Sequence, residues 1–411
     1  MKVLDIFAGS GGFSLGFKLA GYNIIGAIEQ DKWAAETFAY NIKDAQVIVS
    51  DIQKCSNDYL LEEFNHKKPD IILGGIPCQG YSICNKNAGD PKDPRNSLFK
   101  EFLRIAELFL PKYLIIENVP NLIQAKTNSQ ELVIKIIKTE LEELGYQVYW
   151  QILEATLYGI PQIRRRLFII ASKKVLDNPF PEATHYFPEK GKINSCLEIC
   201  PNLWDAISDL PKIHAREGQE EMEYDREPSN DYQKQLRKGS KKVYNHLAMK
   251  HNKRTIERFA SMSWGDSISD VPEHLKPYKR NSNGVISDKV YDQNSRRLPP
   301  NRPCHTIPAS FYANFVHPYL NRNFTAREGA RIQSFPDWFI FKGKPTVVSQ
   351  KLLEREGRLD EKHLCQYNQI GNAVPPLLAK AIAENLKNQV CLFNIKPDSV
   401  VDNQKLSQVL I

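Results

Sequence analysis

Apolar and polar positions alternate in a regular succession over the first 172 residues. Strand-like runs fall at 3–7, 24–28, 46–49, 70–74, 113–117, 147–154 and 166–171. Helical patterns lie between them at 13–20, 31–41, 57–65, 96–109 and 129–143. The clearest is Asn96 to Phe109, where Leu98, Phe99, Phe102, Leu103, Ile105, Ala106 and Phe109 share one face at helical spacing. Strands alternating with helices predict an α/β fold, a mostly parallel sheet with helices on both faces. Strand 166–171 follows 147–154 so closely that an antiparallel pairing is expected there. The pattern breaks over 174–300, which is rich in Pro, Asn, Ser and charge and only weakly periodic. An apolar helical segment returns at Val374 to Leu386. The expected organisation is a first domain at 1–173, a smaller one at 174–360 with its irregular part at 174–295, and a segment at 361–411 that returns to the first domain.

Chemistry-bearing residues gather where the predicted strands end. The first strand runs into Asp5-Ile6-Phe7-Ala8-Gly9-Ser10-Gly11-Gly12, a glycine-rich turn that lets backbone approach a ligand at a helix N-terminus. The second ends at Glu29, placed to accept from a ribose diol, and the third at Asp51-Ile52, where Asp51 suits an adenine amino group. Ser14 stands where a dinucleotide fingerprint needs its third glycine, so an adenosyl group without phosphates fits better than a nicotinamide dinucleotide. The fourth strand leads through Gly74-Gly75 into Ile76-Pro77-Cys78-Gln79-Gly80-Tyr81-Ser82, a loop at the edge where open α/β sheets carry their sites. A buried, inert thiol is the commoner use of a lone cysteine. The fifth strand ends in Glu117-Asn118-Val119-Pro120, and a thiol and a carboxylic acid on one rim are the parts for adding to an electron-poor ring. Gln162-Ile163-Arg164-Arg165-Arg166 precedes the last strand, and alternation turns Arg164 and Arg166 to one face.

Six motifs in order make this chain resemble the DNA (cytosine-5)-methyltransferases. They are the turn at 5–12, Pro77-Cys78-Gln79, Glu117-Asn118-Val119, Gln162-x-Arg164-x-Arg166, Arg302-Pro303-x-x-Thr306 and Gly371-Asn372-Ala373-Val374-Pro375. The resemblance implies a Rossmann-like class I methyltransferase fold using S-adenosylmethionine, with S-adenosylhomocysteine as product. It implies that Cys78 adds to C6 of a flipped-out cytosine while Glu117 holds N3 and the exocyclic amine. Arg164 and Arg166 would steady the cytosine O2 and the catalytic loop, and the loop from Cys78 to Asn96 would close over the base. Phe7, Gly9, Gly11, Glu29, Asp51, Ile52, Pro77, Leu98 and Asn372 match the family's cofactor positions. Gln30 departs from members that stack an aromatic on adenine there. Thr325 to Arg331, with Phe335-Pro336-Asp337, also matches the family and is expected to be architectural. The implied partner is double-stranded DNA, read by a target-recognition region at 174–295, in a bacterial restriction–modification setting with a companion endonuclease.

Charge refines this picture. The net charge is +7, and residues 234–258 carry nine basic side chains against the single acid Glu257, just after six acids at 217–227. Such a run is either a solvated face or a phosphate-contacting surface; Lys241, Lys242 and Arg254, with Gln79 and Ser82 on the loop, are the expected DNA contacts. The eight cysteines are scattered, and Cys196-x3-Cys200 lacks a second ligand pair, so neither a disulfide framework nor a metal site is expected. No apolar run is long enough to span a bilayer, and the chain opens directly into strand-like sequence. A cytoplasmic monomer is expected. The rival readings are a tRNA cytosine-5 methyltransferase on the same motifs, which tends to have a more compact recognition region, and a DNA-binding regulator with a dead site, against which intact Cys78, Glu117 and both arginines argue.

Overall fold

The computed structural model describes residues 1–64, 67–77, 97–127, 130–188, 194, 196–279, 284–287 and 292–395. Cys78, Gln79, Ser82 and the rest of the loop to Asn96 lie outside the described residues. The chain runs β1 (Lys2–Ile6), α1 (Gly12–Leu19), β2 (Asn23–Glu29), α2 (Lys32–Asn41), β3 (Gln46–Val49), α3 (Asn57–Glu63) and β4 (Ile71–Gly74). It continues through α4 (Ser97–Phe109), β5 (Tyr113–Asn118), α5 (Val133–Glu143), β6 (Gln147–Glu154), β7 (Gln162–Ile163) and β8 (Arg165–Ser172). The main sheet has seven strands in the order β3-β2-β1-β4-β5-β8-β6. The first five are parallel, and β8 runs antiparallel to both β5 and β6, as the short connection requires.

Both sheet faces are covered, which explains the unbroken apolar runs in the strands. Within β4, Ile71 and Leu73 pack on one side with Phe13, Phe17 and Phe38, while Ile72 packs on the other with Phe102, Ile105 and Ile137. Each such buried side chain stabilises the fold by about 1.5–3 kcal/mol. The helix Pro376–Ile395 completes the first face: Leu378, Ile382 and Leu386 join its core, and the Tyr22 hydroxyl donates to Ala383 O at 2.9 Å.

A third core surrounds the helix Ala326–Ile332, all of whose residues are buried although they include Arg327, Glu328 and Arg331. Arg331 bonds Asp337 (2.6 Å) and Asp209 (2.8 Å), and Arg322 holds both oxygens of Glu328 at 2.7 and 2.8 Å. Thr325 and Glu328 form a reciprocal capping box at the helix start. These residues are architectural, as expected. Removing one partner would strand a buried charge, at a cost of roughly 3–5 kcal/mol.

Histidines in this half set an acid limit. Burial pushes His246 and His251 down to about 4 and His317 to about 3. In His246 both ring nitrogens are already matched, one by Pro211 O and one by the Thr325 hydroxyl, each at 2.9 Å. These rings are neutral in the fold and protonate near their ordinary value once unfolded. Their stabilisation is therefore complete above about pH 6.5 and is lost as pH falls towards their folded values. Asp5, pushed up to about 7 by burial, acts in the opposite sense and offsets part of the loss. Thermal melts should show a clearly lower midpoint at pH 5 than at pH 7; an equal midpoint would contradict the buried neutral histidines.

Candidate active site

Parallel β1, β2, β3, β4 and β5 all end on one rim, and antiparallel β8 begins there. The pairs Glu117↔Phe168 and Asn118↔Leu167 place Arg166 beside the end of β5. Arg166 Nε lies 3.0 Å from Glu117 Oε1, with only 17% and 13% of the two side chains exposed. Asn118 explains its own place in the motif. Its amide nitrogen donates to Ile76 O at 3.3 Å, and its side-chain oxygen accepts from Val119 N at 2.8 Å. The end of β5 is thus tied to the segment leading into Pro77, which is the last described residue before Cys78.

Arg164 lies close to Arg166 and Glu117 but is more deeply buried than either. Alternation holds through the break between β7 and β8, but Gln162 and Arg164 point inward, at 0% and 2% exposure, beneath the exposed Ile163 and Arg165. The Arg164 guanidinium donates to the carbonyls of Ile307 (3.2 Å), Gly371 (3.2 Å) and Ala373 (3.1 Å). Burial pushes it down to about 9, reinforced by nearby Arg166 and opposed by Glu117. Its bonds tie the start of β8 to Ile307 and to the segment 371–373.

The glycine turn bends through positive φ at Phe7 (60°), Gly9 (55°) and Gly11 (92°). Phe7 takes this conformation without glycine's freedom, which marks the turn as held in place by its surroundings. A Cβ on Gly11 would come within 2.7 Å of the Phe38 ring, whereas one on Gly9 would meet nothing within 4 Å. Gly9 therefore leaves open space above the turn. Its N–H donates to Glu29 Oε2 (2.7 Å) and that of Asp31 to Oε1 (2.8 Å), which aims the carboxylate; burial raises its pKa against these bonds. Ser14, which breaks the dinucleotide fingerprint, donates to the buried Asp5 carboxyl at 2.7 Å.

The remaining cofactor candidates divide. The Asp51 carboxylate accepts from Gln53 N at 3.1 Å on the rim. The Ile52 side chain is packed into the core, so only its backbone is left to meet a ligand. Leu98 is partly buried against the same core. Asn372 is exposed at the end of the helix Gln366–Asn372. A Cβ on Gly12 would lie 2.4 Å from Val374 O and 3.2 Å from Ala373 Cβ, so the segment carrying Asn372 sits directly on the glycine turn. The Ser10 hydroxyl is buried with no partner among the described residues. An open cradle, an aimed carboxylate and a spare hydroxyl fit an adenosyl amino acid.

The basic run is less available than its composition suggests. β-pairing of Gly218–Glu223 with Lys242–Leu247 sets Glu223 opposite Lys242, whose ammonium lies 2.5 Å from Glu221 and 3.6 Å from Glu223. Arg254 donates to Lys276 O at 2.7 Å and stacks 4.1 Å over Tyr278. Lys241 is exposed. A cleft of about 880 Å³ opens next to β7, lined by Ile163, Arg302, His305, Ser267, Asp270 and Arg296 among others. Sequence reading found the Arg302 motif but gave it no role. The reason it lies here is long-range: Cys304–His305 pairs with Gln162–Ile163, and the Thr306 hydroxyl donates to Ile163 O at 2.6 Å.

Comparison with known proteins places this geometry. The family described as C-5 cytosine-specific DNA methylase matches residues 1–388. The Type II methyltransferase M.DdeI of Desulfomicrobium norvegicum is 46% identical over 408 residues, covering 99% of this chain and 94% of the relative. The Type II methyltransferase M1.HphI of Haemophilus parahaemolyticus is 33% identical, over 93% of this chain and 86% of the relative. Among solved structures, a candidate DNA modification methyltransferase encoded within an E. coli prophage superposes with a TM-score of 0.70 at 25% identity, over 95% of this chain and 99% of that one.

Proposed function

Because the chain belongs to the C-5 cytosine-specific DNA methylase family, we propose that Cys78 is the thiol that adds to the target cytosine on the rim occupied by Glu117 and Arg166. The protein is a sequence-specific DNA cytosine-5 methyltransferase of the Type II restriction–modification kind. Family and fold imply the use of S-adenosylmethionine. The observation that carries the residue assignment is the Arg166–Glu117 ion pair, tied through Asn118 to the strand end before Cys78.

The Cys78 thiolate forms a bond to C6, and the electron pair displaced from the ring's C5–C6 bond gives C5 enamine character. Glu117 holds the N3 and amino edge and stabilises the charge that develops in the ring. Arg166 fixes the Glu117 carboxyl in that orientation. When bound at the glycine turn, the sulfonium of S-adenosylmethionine supplies an electrophilic methyl group for C5. Loss of the C5 proton and departure of the Cys78 sulfur then restore the aromatic base. Gly9 and Gly11 shape the turn, Glu29 receives the ribose, Asp51 faces the adenine, and Phe7, Pro77, Leu98, Asn372 and the backbone of Ile52 complete the cofactor wall. Residues 174–295 form the target-recognition region, Gln79 and Ser82 meet the DNA beside the base, and the protein works as a monomer with a companion endonuclease.

Duplex DNA takes the cleft beside Ile163, with Arg302 and Arg296 near its phosphates. Neutralising Arg302 should lower the slope of log affinity against log salt by about 1. Neutralising Lys242, already paired with Glu221 and Glu223, should leave it nearly unchanged. Equal effects would remove the cleft assignment. The reading as a whole is tested with labelled S-adenosylmethionine and either duplex DNA or tRNA, followed by bisulfite sequencing. Label in DNA at one cytosine of a fixed sequence is expected, and label in tRNA alone would overturn it.

A further inference from the structure

Gln162 and Gln333 are both fully buried, an expensive place for two amides, and every hydrogen bond they make has a direction. Ile307 N donates to Gln162 Oε1 at 3.0 Å, which fixes the orientation of that amide. Gln162 Nε2 then donates to Gln333 Oε1, which fixes the second amide in turn. Gln333 Nε2 finally donates to Ile370 O (3.1 Å) and Ala373 O (2.8 Å). The relay ends at the C-terminus of the helix Gln366–Asn372, where Ile370 O also accepts from the cap N–H of Ala373 at 3.3 Å and Ala373 O lies beyond the helix. Arg164 bonds Gly371 O and Ala373 O from the same side. Exposed Asn372 therefore stands between carbonyls clamped on either side, over a glycine turn that Ala373 and Val374 touch.

We propose that Gln333 is a positioning residue for cofactor binding: by donating to Ile370 O and Ala373 O it holds the Asn372 lip at the distance from the glycine turn that the cofactor requires. The inference rests on the reading of Asn372 as a cofactor contact. A charged cap alone does not explain the arrangement, because Arg164 already places a cation at this helix end. Gln333 adds a neutral donor whose orientation is dictated from β7, the strand preceding Arg166. The lip and the catalytic rim are thereby built from one rigid set of bonds.

The discriminating change is Gln333→Glu, which keeps the size of the side chain but replaces the donor with an acceptor facing two carbonyls. Gln333→Met removes the donor without introducing charge, and serves if the first variant does not fold. Binding of S-adenosylhomocysteine by calorimetry should weaken about tenfold in either variant, equivalent to about 1.4 kcal/mol. KM for S-adenosylmethionine should rise in parallel, while kcat and KM for DNA stay within about threefold. A lower melting temperature with unchanged cofactor affinity would show a merely structural role and overturn the proposal. Asn372→Ala separates the two levels. If it weakens cofactor binding while the folded Gln333 variants do not, the lip reading stands and the proposal fails. If Gln333 variants lose affinity but Asn372→Ala does not, Asn372 is not the contact and the route proposed here fails with it.

Discussion

Cys78→Ala should abolish methyl transfer to DNA, lowering the rate by roughly 10⁴-fold or more, because the side chain forms a covalent bond to the base rather than tuning one. Without addition to C6 the ring carbon C5 has too little electron density to attack a methyl group. Cofactor affinity should be retained, since the glycine turn, Glu29 and Asn372 sit on other elements of the rim. A duplex carrying 5-fluorocytosine at the target supplies a second readout. Fluorine at C5 cannot leave as a proton does, so the parent enzyme should accumulate a denaturation-resistant adduct with DNA. The variant should form none. Methyl transfer persisting in Cys78→Ala, or an adduct surviving in it, would show that another nucleophile is used. Cys55, Cys200, Cys304 and Cys365 are poor substitutes: all are buried, and burial pushes Cys200 up to about 12 and holds Cys304 and Cys365 above the ordinary thiol range.

The central strands and several helices of the first 172 residues were legible because β1, β2, β4, β5 and β8 are largely buried on both faces and α4 and α5 pack one apolar face on the sheet, so periodicity and burial coincide there. Strand order was not legible in the same way. That β8 inserts between β5 and β6 follows from side-to-side pairing, which leaves no mark on local periodicity. The same limit explains Arg164. Alternation assigned it correctly to the opposite side from Ile163 and Arg165, but not that this side is covered by Ile307 and Gly371, which are distant in sequence. The basic run shows a related limit. Its acids were visible upstream at 217–227, but only the register Glu223↔Lys242 shows that Lys242 is paired with Glu221 and Glu223. Gln333 carried no signal of its own and Gln162 only its place in the Gln162-x-Arg164-x-Arg166 motif, since a buried glutamine becomes intelligible only when its partners are known. Motif residues at strand ends were the most legible of all, because a rim position is set by the strand that carries it.

Glu117→Gln should lower kcat by roughly 10²–10³-fold, the usual range for loss of a positioned acid–base group, with a much smaller effect on cofactor affinity. The amide retains a hydrogen-bonding edge for the cytosine but cannot exchange a proton with N3. It also breaks the ion pair with Arg166, whose Nε sits 3.0 Å from the carboxylate. Arg166→Ala probes that pair from the other side: Glu117 keeps its chemistry but loses the group that orients it. Because both side chains are largely shielded from water, the pair is worth more than an exposed salt bridge, for which about 0–1 kcal/mol is typical. The two losses should therefore not add. In the double variant the kcat defect should exceed that of Glu117→Gln by no more than a few fold, the pattern of groups acting as one unit. Arg166→Lys restores the charge without the planar fork and should recover only part of the activity lost in Arg166→Ala. Full additivity would instead mean that Arg166 acts on the base or the DNA independently of Glu117. Single-turnover rates on a duplex target separate these outcomes, since they report chemistry without product release.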